Sequence, residues 1–487
     1  MSNKEFLLLP DNPGCYEELK DGNCYFVDKT EYLKTVFTSS TKVLLFTRPR
    51  RFGKTLLMTM FESFLKINSE KPFDTSLQLK YFQGTKILED KEFCSKFMGQ
   101  YPVISISLKN VDGVTFDIAY KNFAAEVSKL AENYRYLLSS TKLDKEDKDK
   151  LSKILKVEFL REFENSDYLT GSLSTIATAL YKEYGKYPVL LIDEYDVPLA
   201  KASEKGYHSD MVTLISQFFD VMKITPNNND YEEYPIEKIV LTGCLKVAKN
   251  SIFTGVNNLY VNTVTSQLKQ YTGMIGFTKE DTYKFLKDYK MDNFAQKVKE
   301  HYDGYKFYDK EIFCPWDIVS FISDYYKKNL KGTLKLNWLE NYWEGTTSDK
   351  SLSGYLGYLT DKDNQKMQDL VDGKSISFIL NESMNYDCLS QHESDDFWSL
   401  LLHTGYLTVD WEKTDEAESS KDGKNNKEVF ARIPNLEILD CFDTNIKARF
   451  SSEFIKHNLH NKLVDALSCG NQKETYDIFF DMLQKYV

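Results

Sequence analysis

The chain holds 487 residues, room for about three domains at ~150 residues each. A net charge of -11 and a pI near 5.3 exclude a surface that generally coats nucleic acid, leaving a local basic patch as the remaining option. Eight scattered cysteines form no CxxC pair, no apolar run nears ~18 residues, and residues 1–10 lack a basic, apolar leader; the expectation is a cytoplasmic chain with reduced thiols, no zinc site and no membrane span.

Residues 24–33 read as a short strand entering a helix, with Asp28 or Thr30 as N-cap. Two readings stand here: one wall of an adenine pocket that includes Asp28, or a simple capped surface helix.

Val43, Leu44, Leu45 and Phe46 predict a buried parallel strand. Arg48, Pro49, Arg50, Arg51 and Phe52 form a short loop, Gly53-Lys54-Thr55 follows, and Leu56 begins a helix that is apolar on nearly every face. Strand, loop, Gly-Lys-Thr and helix is the context a phosphate loop requires. Gly53 lets the backbone approach a phosphate, and loop N–H groups at a helix N-terminus face the anion. Lys54 is placed for the β- and γ-phosphates and the Thr55 hydroxyl for Mg²⁺. The strict pattern asks for glycine five residues before Gly53, where this chain has Arg48. Three of its seven arginines stand within four residues here, which suits an anionic ligand; the plainer reading is a solvated basic turn.

Residues 101–108 predict a second strand, started by Pro102, and residues 116–138 and 150–163 two amphipathic helices. The mixed-charge run 142–150 between them reads as a solvated connection or helix face. A helix over 171–184 leads to an apolar strand ending in Asp193-Glu194. In a P-loop ATPase, Asp193 holds Mg²⁺ and Glu194 orients and deprotonates the attacking water. The other reading is a strand-end turn capped by acids. Residues 238–243 predict a further strand, with Thr242 at its tip either sensing the γ-phosphate or starting a turn with Gly243. Lys246 and Lys249 face a nucleotide, a neighbouring subunit or solvent. These alternating elements imply a doubly wound parallel α/β core over 1–275.

Thr278 and Asp281 predict a capping box opening a helix. Helical pattern continues to about residue 330, broken by an aromatic Gly turn at 301–307 and by Pro315 at a helix start, giving a helical lid over 276–375. His301 has no Cys or His at ligand spacing, which argues against a metal there. Over 376–487, a helix at 395–403, strands at 405–411 and 429–435, and helices at 436–450 and 456–486 suggest a winged-helix-like α+β module, with 412–427 as a long, mobile wing tip. Its acids and lack of a basic stripe favour regulation or packing over DNA binding.

The residues also resemble a known family. Tyr25-Phe26-Val27-Asp28-Lys29-Thr30, Arg48-Pro49-Arg50-Arg51-Phe52-Gly53-Lys54-Thr55, Leu191-Ile192-Asp193-Glu194-Tyr195-Asp196, Leu241-Thr242-Gly243, Ser251-Ile252-Phe253-Thr254-Gly255, Tyr302-Asp303-Gly304-Tyr305 and Pro315-Trp316 are similar, in order, to the motifs of the AAA-ATPase-like proteins. The resemblance implies a P-loop NTPase of the ASCE/AAA-like layout, and Arg48 matches that family's usual loop. Lys246 stands where the family commonly has arginine, which weighs against an arginine-finger role there. Many members carry a restriction-endonuclease-like domain after the position of Asn435; here no Asp…Glu-x-Lys set follows, so no nuclease activity is expected.

The expected function is therefore Mg²⁺-dependent ATP hydrolysis in a nucleotide-controlled switch. The candidates are Glu194, Lys54 and Thr242 for catalysis, Asp28 and residues 48–56 for nucleotide, and Thr55 and Asp193 for metal. The alternatives are a non-hydrolysing scaffold acting through a protein partner or a second copy, or a DNA-handling module of a mobile-element or defence system.

Overall fold

A computed structural model of the chain describes residues 8–10, 14–223, 236–246, 252–256, 258–330, 339–343, 363–382, 394–419, 427–445 and 459–486. At its centre is a five-stranded sheet: β1 (Val43–Thr47), β2 (Val103–Ser107), β3 (Val189–Asp193), β4 (Lys238–Gly243) and β5 (Leu259–Asn262), in the order β2-β3-β4-β1-β5. Every pairing is parallel. β1, β3 and β4 are buried at every position, as the unbroken apolar runs of a sheet covered on both faces require.

Alternate side chains feed two separate cores. Leu44, Phe46, Leu191 and Val240 join the cluster that holds helix Lys54–Leu65. Val43, Leu45, Leu190, Ile192, Ile239 and Leu241 join the other, with helices Phe116–Glu132, Ser172–Tyr184 and His208–Phe218. The core is thus a doubly wound α/β domain. The strands expected at 43–46, at 101–108, before Asp193-Glu194 and at 238–243 are present as β1, β2, β3 and β4. β5 was not expected: Leu-Tyr-Val-Asn is only four residues long and carries no alternation of apolar and polar residues. The mixed-charge run is the start of helix Lys145–Ile154, closed by a capping box of Asp144 and Asp147.

Beyond the core, Thr278 caps helix Lys279–Asp288 in the expected box with Asp281. Pro315 opens helix Pro315–Leu330. The aromatic break is more than a turn: β7 (Tyr305–Phe307) and β8 (Lys310–Phe313) form a hairpin, and with β6 (Phe277–Thr278) a small antiparallel sheet. A further antiparallel sheet joins β9 (Ile376–Ile379), β10 (Thr408–Val409) and β11 (Glu428–Arg432) in the order β10-β11-β9. The stretch expected as a mobile wing tip begins instead as helix Trp411–Ser419, with Trp411 buried; residues 420–426 lie outside the described residues, as does Lys249. The apolar core beneath helix Lys54–Leu65 runs on into Trp343, Phe397 and Trp398, so the phosphate-loop side of the sheet is covered by the chain's own C-terminal part.

Among the described residues no helix is long and apolar enough to cross a membrane, and the cysteines form no disulfide.

Candidate nucleotide site

β4 lies between β1 and β3, so the segments leaving β1 and β3 start two strands apart, roughly 9.6 Å at ~4.8 Å per strand. Side chains close that gap. Gly53 has φ 91°, a left-handed conformation that favours glycine, and a Cβ built there would meet nothing within 4 Å. The backbone at the head of the helix is therefore open to a ligand. Lys54, the first helical residue, is 3% exposed. Its Nζ donates to the carbonyls of Arg48 and Pro49, both at 3.1 Å, and to Cys244 Sγ at 3.6 Å. Glu194 Oε1 lies 3.7 Å away. Burial works against the ammonium, but the Cys244 sulfur and the carboxylates of Glu194, Asp193 and Asp196 outweigh it, and its pKa stands above that of an ordinary lysine.

The Thr55 hydroxyl donates to Asp193 Oδ2 at 2.6 Å, joining residues 138 apart in sequence. Thr242, wholly buried, donates its hydroxyl to the other oxygen, Asp193 Oδ1. Burial and the neighbouring Glu194 raise the Asp193 pKa, and the two hydroxyls with Lys54 oppose that rise. Glu194 has φ 53°. A non-glycine residue holds that conformation only where its surroundings impose it, which they do here between Asp193 and the turn after it.

Asp196, which sequence reading left without a task, is 1% exposed. It accepts N–H bonds from Leu245 at 2.8 Å and from Cys244 at 3.1 Å, tying the turn after β3 to the turn after β4. Burial pushes its pKa up to about 6. Gly243 permits the approach, since a Cβ there would stand 2.5 Å from Asp196 Oδ1. The available signal was a third acid close behind Asp193-Glu194.

Gly53, Lys54, Thr55, Leu56 and Glu194 line one end of a cavity of about 300 Å³. The rest of its lining is mostly apolar, with Phe26, Val27, Leu57, Met60, Met274, Phe277, Phe285 and Trp316, and includes the cations Lys29 and Arg51. Tyr25 stacks on Phe285 with centroids 4.1 Å apart, and Lys29 pairs with Asp281 at 2.6 Å, so the strip at residues 25–29 is fastened to helix Lys279–Asp288. A polar end joined to an apolar, aromatic slot is the usual form of a small-ligand site.

The remaining candidates divide. Arg51 and Phe52 reach the cavity, although the Phe52 ring is buried against Tyr305 and Trp343. Arg50 is exposed on the loop. Pro49 packs on Gly405. Three expectations need correction. The Arg48 guanidinium does not point at a phosphate: it is 1% exposed, donates to the carbonyls of Thr47 and Asn262 and to Asn262 Oδ1, and lies 4.9 Å from the Phe307 ring centre. Asp28 does not line the cavity; it accepts from Thr30 N at 2.9 Å and Lys86 N at 2.8 Å, and so fixes the turn below it. The Thr242 hydroxyl faces Asp193 and not the cavity.

Residues 14–253 match the family described as "Predicted AAA-ATPase". This part of the chain belongs to the AAA-ATPase-like family. The AAA-ATPase-like region holds Gly53, Lys54, Thr55, Asp193, Glu194, Asp196 and Thr242. The chain is also 22% identical over 459 residues to a protein of Azotobacter chroococcum mcd 1, spanning 93% of this chain and 72% of that protein. The relative is described as "Uncharacterized protein in vnfD 5'region".

Proposed function

We propose that this AAA-ATPase-like chain binds ATP with Mg²⁺ and hydrolyses it slowly, as a nucleotide-controlled switch. The observation that carries this is the Thr55–Asp193 contact of 2.6 Å, beside Lys54 and Glu194, at the polar end of the aromatic cavity. A hydroxyl and a carboxylate oxygen are hard donors, and Thr55 is exposed, so the pair fits Mg²⁺ shared with phosphate and water. When bound, Mg²⁺ supplies charge neutralisation at the phosphates. Lys54 adds its own charge after exchanging the loop carbonyls for phosphate oxygens. Thr242 and Asp196 position Asp193 and the turn at Cys244. Glu194 orients the attacking water and takes its proton. The base occupies the apolar part of the cavity lined by Phe26, Val27, Phe277 and Trp316.

In this reading residues 276–375 act as a lid and 376–487 as a winged-helix-like module, both moving with nucleotide state. Helix Ser394–Thr404 beside the β10-β11-β9 sheet supports the second assignment.

The test is phosphate release by the full chain with Mg²⁺ and ATP. Wild type is expected to release phosphate, Glu194→Gln to bind ATP but lose ~10²–10⁴-fold in rate, and Lys54→Ala to lose both. If wild type binds ATP yet matches buffer alone, the protein is a nucleotide-dependent scaffold and hydrolysis is wrong.

A further inference from the structure

Behind the phosphate loop lies a charge cluster that hydrolysis does not require. Arg51 lines the same cavity as Gly53, Lys54 and Thr55, but its guanidinium is held by residues beyond the phosphate loop. It lies 5.0 Å from the Trp316 ring centre, and Nη1 donates to the Tyr342 carbonyl at 3.1 Å. Its φ is 70°, a left-handed conformation sustained by these contacts.

Two carboxyl groups from separate elements stand behind it. Asp317 comes from helix Pro315–Leu330 and Glu437 from the helical residues 436–445. They are 1% and 0% exposed. Glu437 Oε1 accepts from the Trp343 N–H at 2.7 Å, whereas Glu437 Oε2 and both Asp317 oxygens make no hydrogen bond of normal geometry among the described residues. Two buried carboxyls that face each other do not both ionise, and they titrate as a pair. Burial pushes Asp317 up to about 7, against the pull of Cys314, Arg51 and Glu437, and Glu437 up to about 9. The other groups facing the pair are Tyr302, Tyr305 and Tyr342, all raised by burial, and Cys441 beyond Tyr305. Arg51 is the cation that these contributions place against it.

We propose that Arg51 is a phosphate-sensitive latch: nucleotide phosphates draw its guanidinium off Trp316 and the Tyr342 carbonyl, and the Asp317–Glu437 pair takes up one proton from solvent as that charge leaves. The event at the loop thereby reaches two elements of the C-terminal part, the segment at Tyr342 and the helix carrying Glu437. This rests on the ATP-binding reading above. Binding with proton uptake strengthens as pH falls, by up to ~tenfold per pH unit for one proton.

The experiment is calorimetric binding of a non-hydrolysable ATP analogue with Mg²⁺ to the full chain. It is run at pH 7 in two buffers of different ionisation enthalpy, which counts protons directly, and repeated across pH. Wild type is expected to take up more protons than Asp317→Asn or Arg51→Met, by up to one per site. Its affinity is expected to rise toward low pH more steeply than theirs. Asp317→Leu replaces Asp317→Asn if the latter does not fold. Equal proton counts and equal pH slopes in variants that still bind would overturn the latch while leaving ATP binding intact. Absence of binding by wild type would overturn the nucleotide reading, and the latch with it.

Discussion

Arg48 occupies the position at which a strict phosphate-loop pattern asks for glycine, and its side chain ends in the core. It satisfies Asn262 on β5, which sequence reading did not expect, and covers the Phe307 ring. Arg48→Gly restores the strict pattern on paper. It also leaves the Asn262 oxygens without their donors and opens a cavity beside Phe307. The variant is expected to be less stable by roughly 2–4 kcal/mol, seen as a lower thermal unfolding midpoint. An unchanged midpoint would mean that the buried guanidinium contributes nothing. Lys54, Thr55, Asp193 and Glu194 were legible as a set because each stands at the tip of an apolar strand or at the head of a helix. Arg48, Asp28 and Thr242 misled because local sequence says which residues are polar, not which way a polar side chain turns. That turn is decided by partners such as Asn262, Lys86 and Asp193, which lie far away along the chain.

Among the elements, the β7–β8 hairpin does most to bring the C-terminal part to the loop. Tyr305 donates its hydroxyl to the Gly405 carbonyl at 2.8 Å, and Trp411 Nε1 donates to the Lys306 carbonyl at 2.8 Å. The approach is closest at Gly304, with φ 116°, where a Cβ would lie 1.7 Å from the Pro434 oxygen. No side-chain movement relieves a clash with backbone. Gly304→Ala is expected to destabilise by roughly 2 kcal/mol or more and to speed proteolysis between residues 405 and 445, read by limited digestion against wild type. Digestion at the wild-type rate would show that this packing is dispensable. Sequence marked a Gly turn dense in aromatics here but not the hairpin, since three- and four-residue strands carry too little periodicity to register. The capping box at Thr278 was legible because its signal is complete within four residues.

The molecule as a whole carries a pH dependence set by burial. His403, in helix Ser394–Thr404, is 2% exposed, and neither ring nitrogen has a hydrogen bond among the described residues. Burial lowers its pKa to about 4 from 6.5. Between those values the unfolded chain binds a proton that the folded chain refuses, so stability is lost as pH falls from 6.5 to 4, on the order of 3 kcal/mol in all. His403→Phe is expected to narrow the gap between thermal midpoints measured at pH 7.5 and pH 4.5. The comparison of the two proteins isolates His403 from Asp196 and the Asp317–Glu437 pair, whose raised values act with the opposite sign. A gap as wide as in wild type would mean that the ring is protonated in the fold. Sequence by itself determined the parallel α/β class, the loop at Gly53-Lys54-Thr55 and the acids after β3, because strand burial and helix-terminus chemistry are written in adjacent residues. Tertiary structure alone decided that β5 closes the sheet edge, that Arg48 faces inward, that the aromatic slot is shared between residues 25–27 and the region beyond residue 274, and that Asp317 and Glu437 meet behind Arg51. Those outcomes depend on contacts between residues far apart along the chain, and burial sets their energies only once the fold has closed around them.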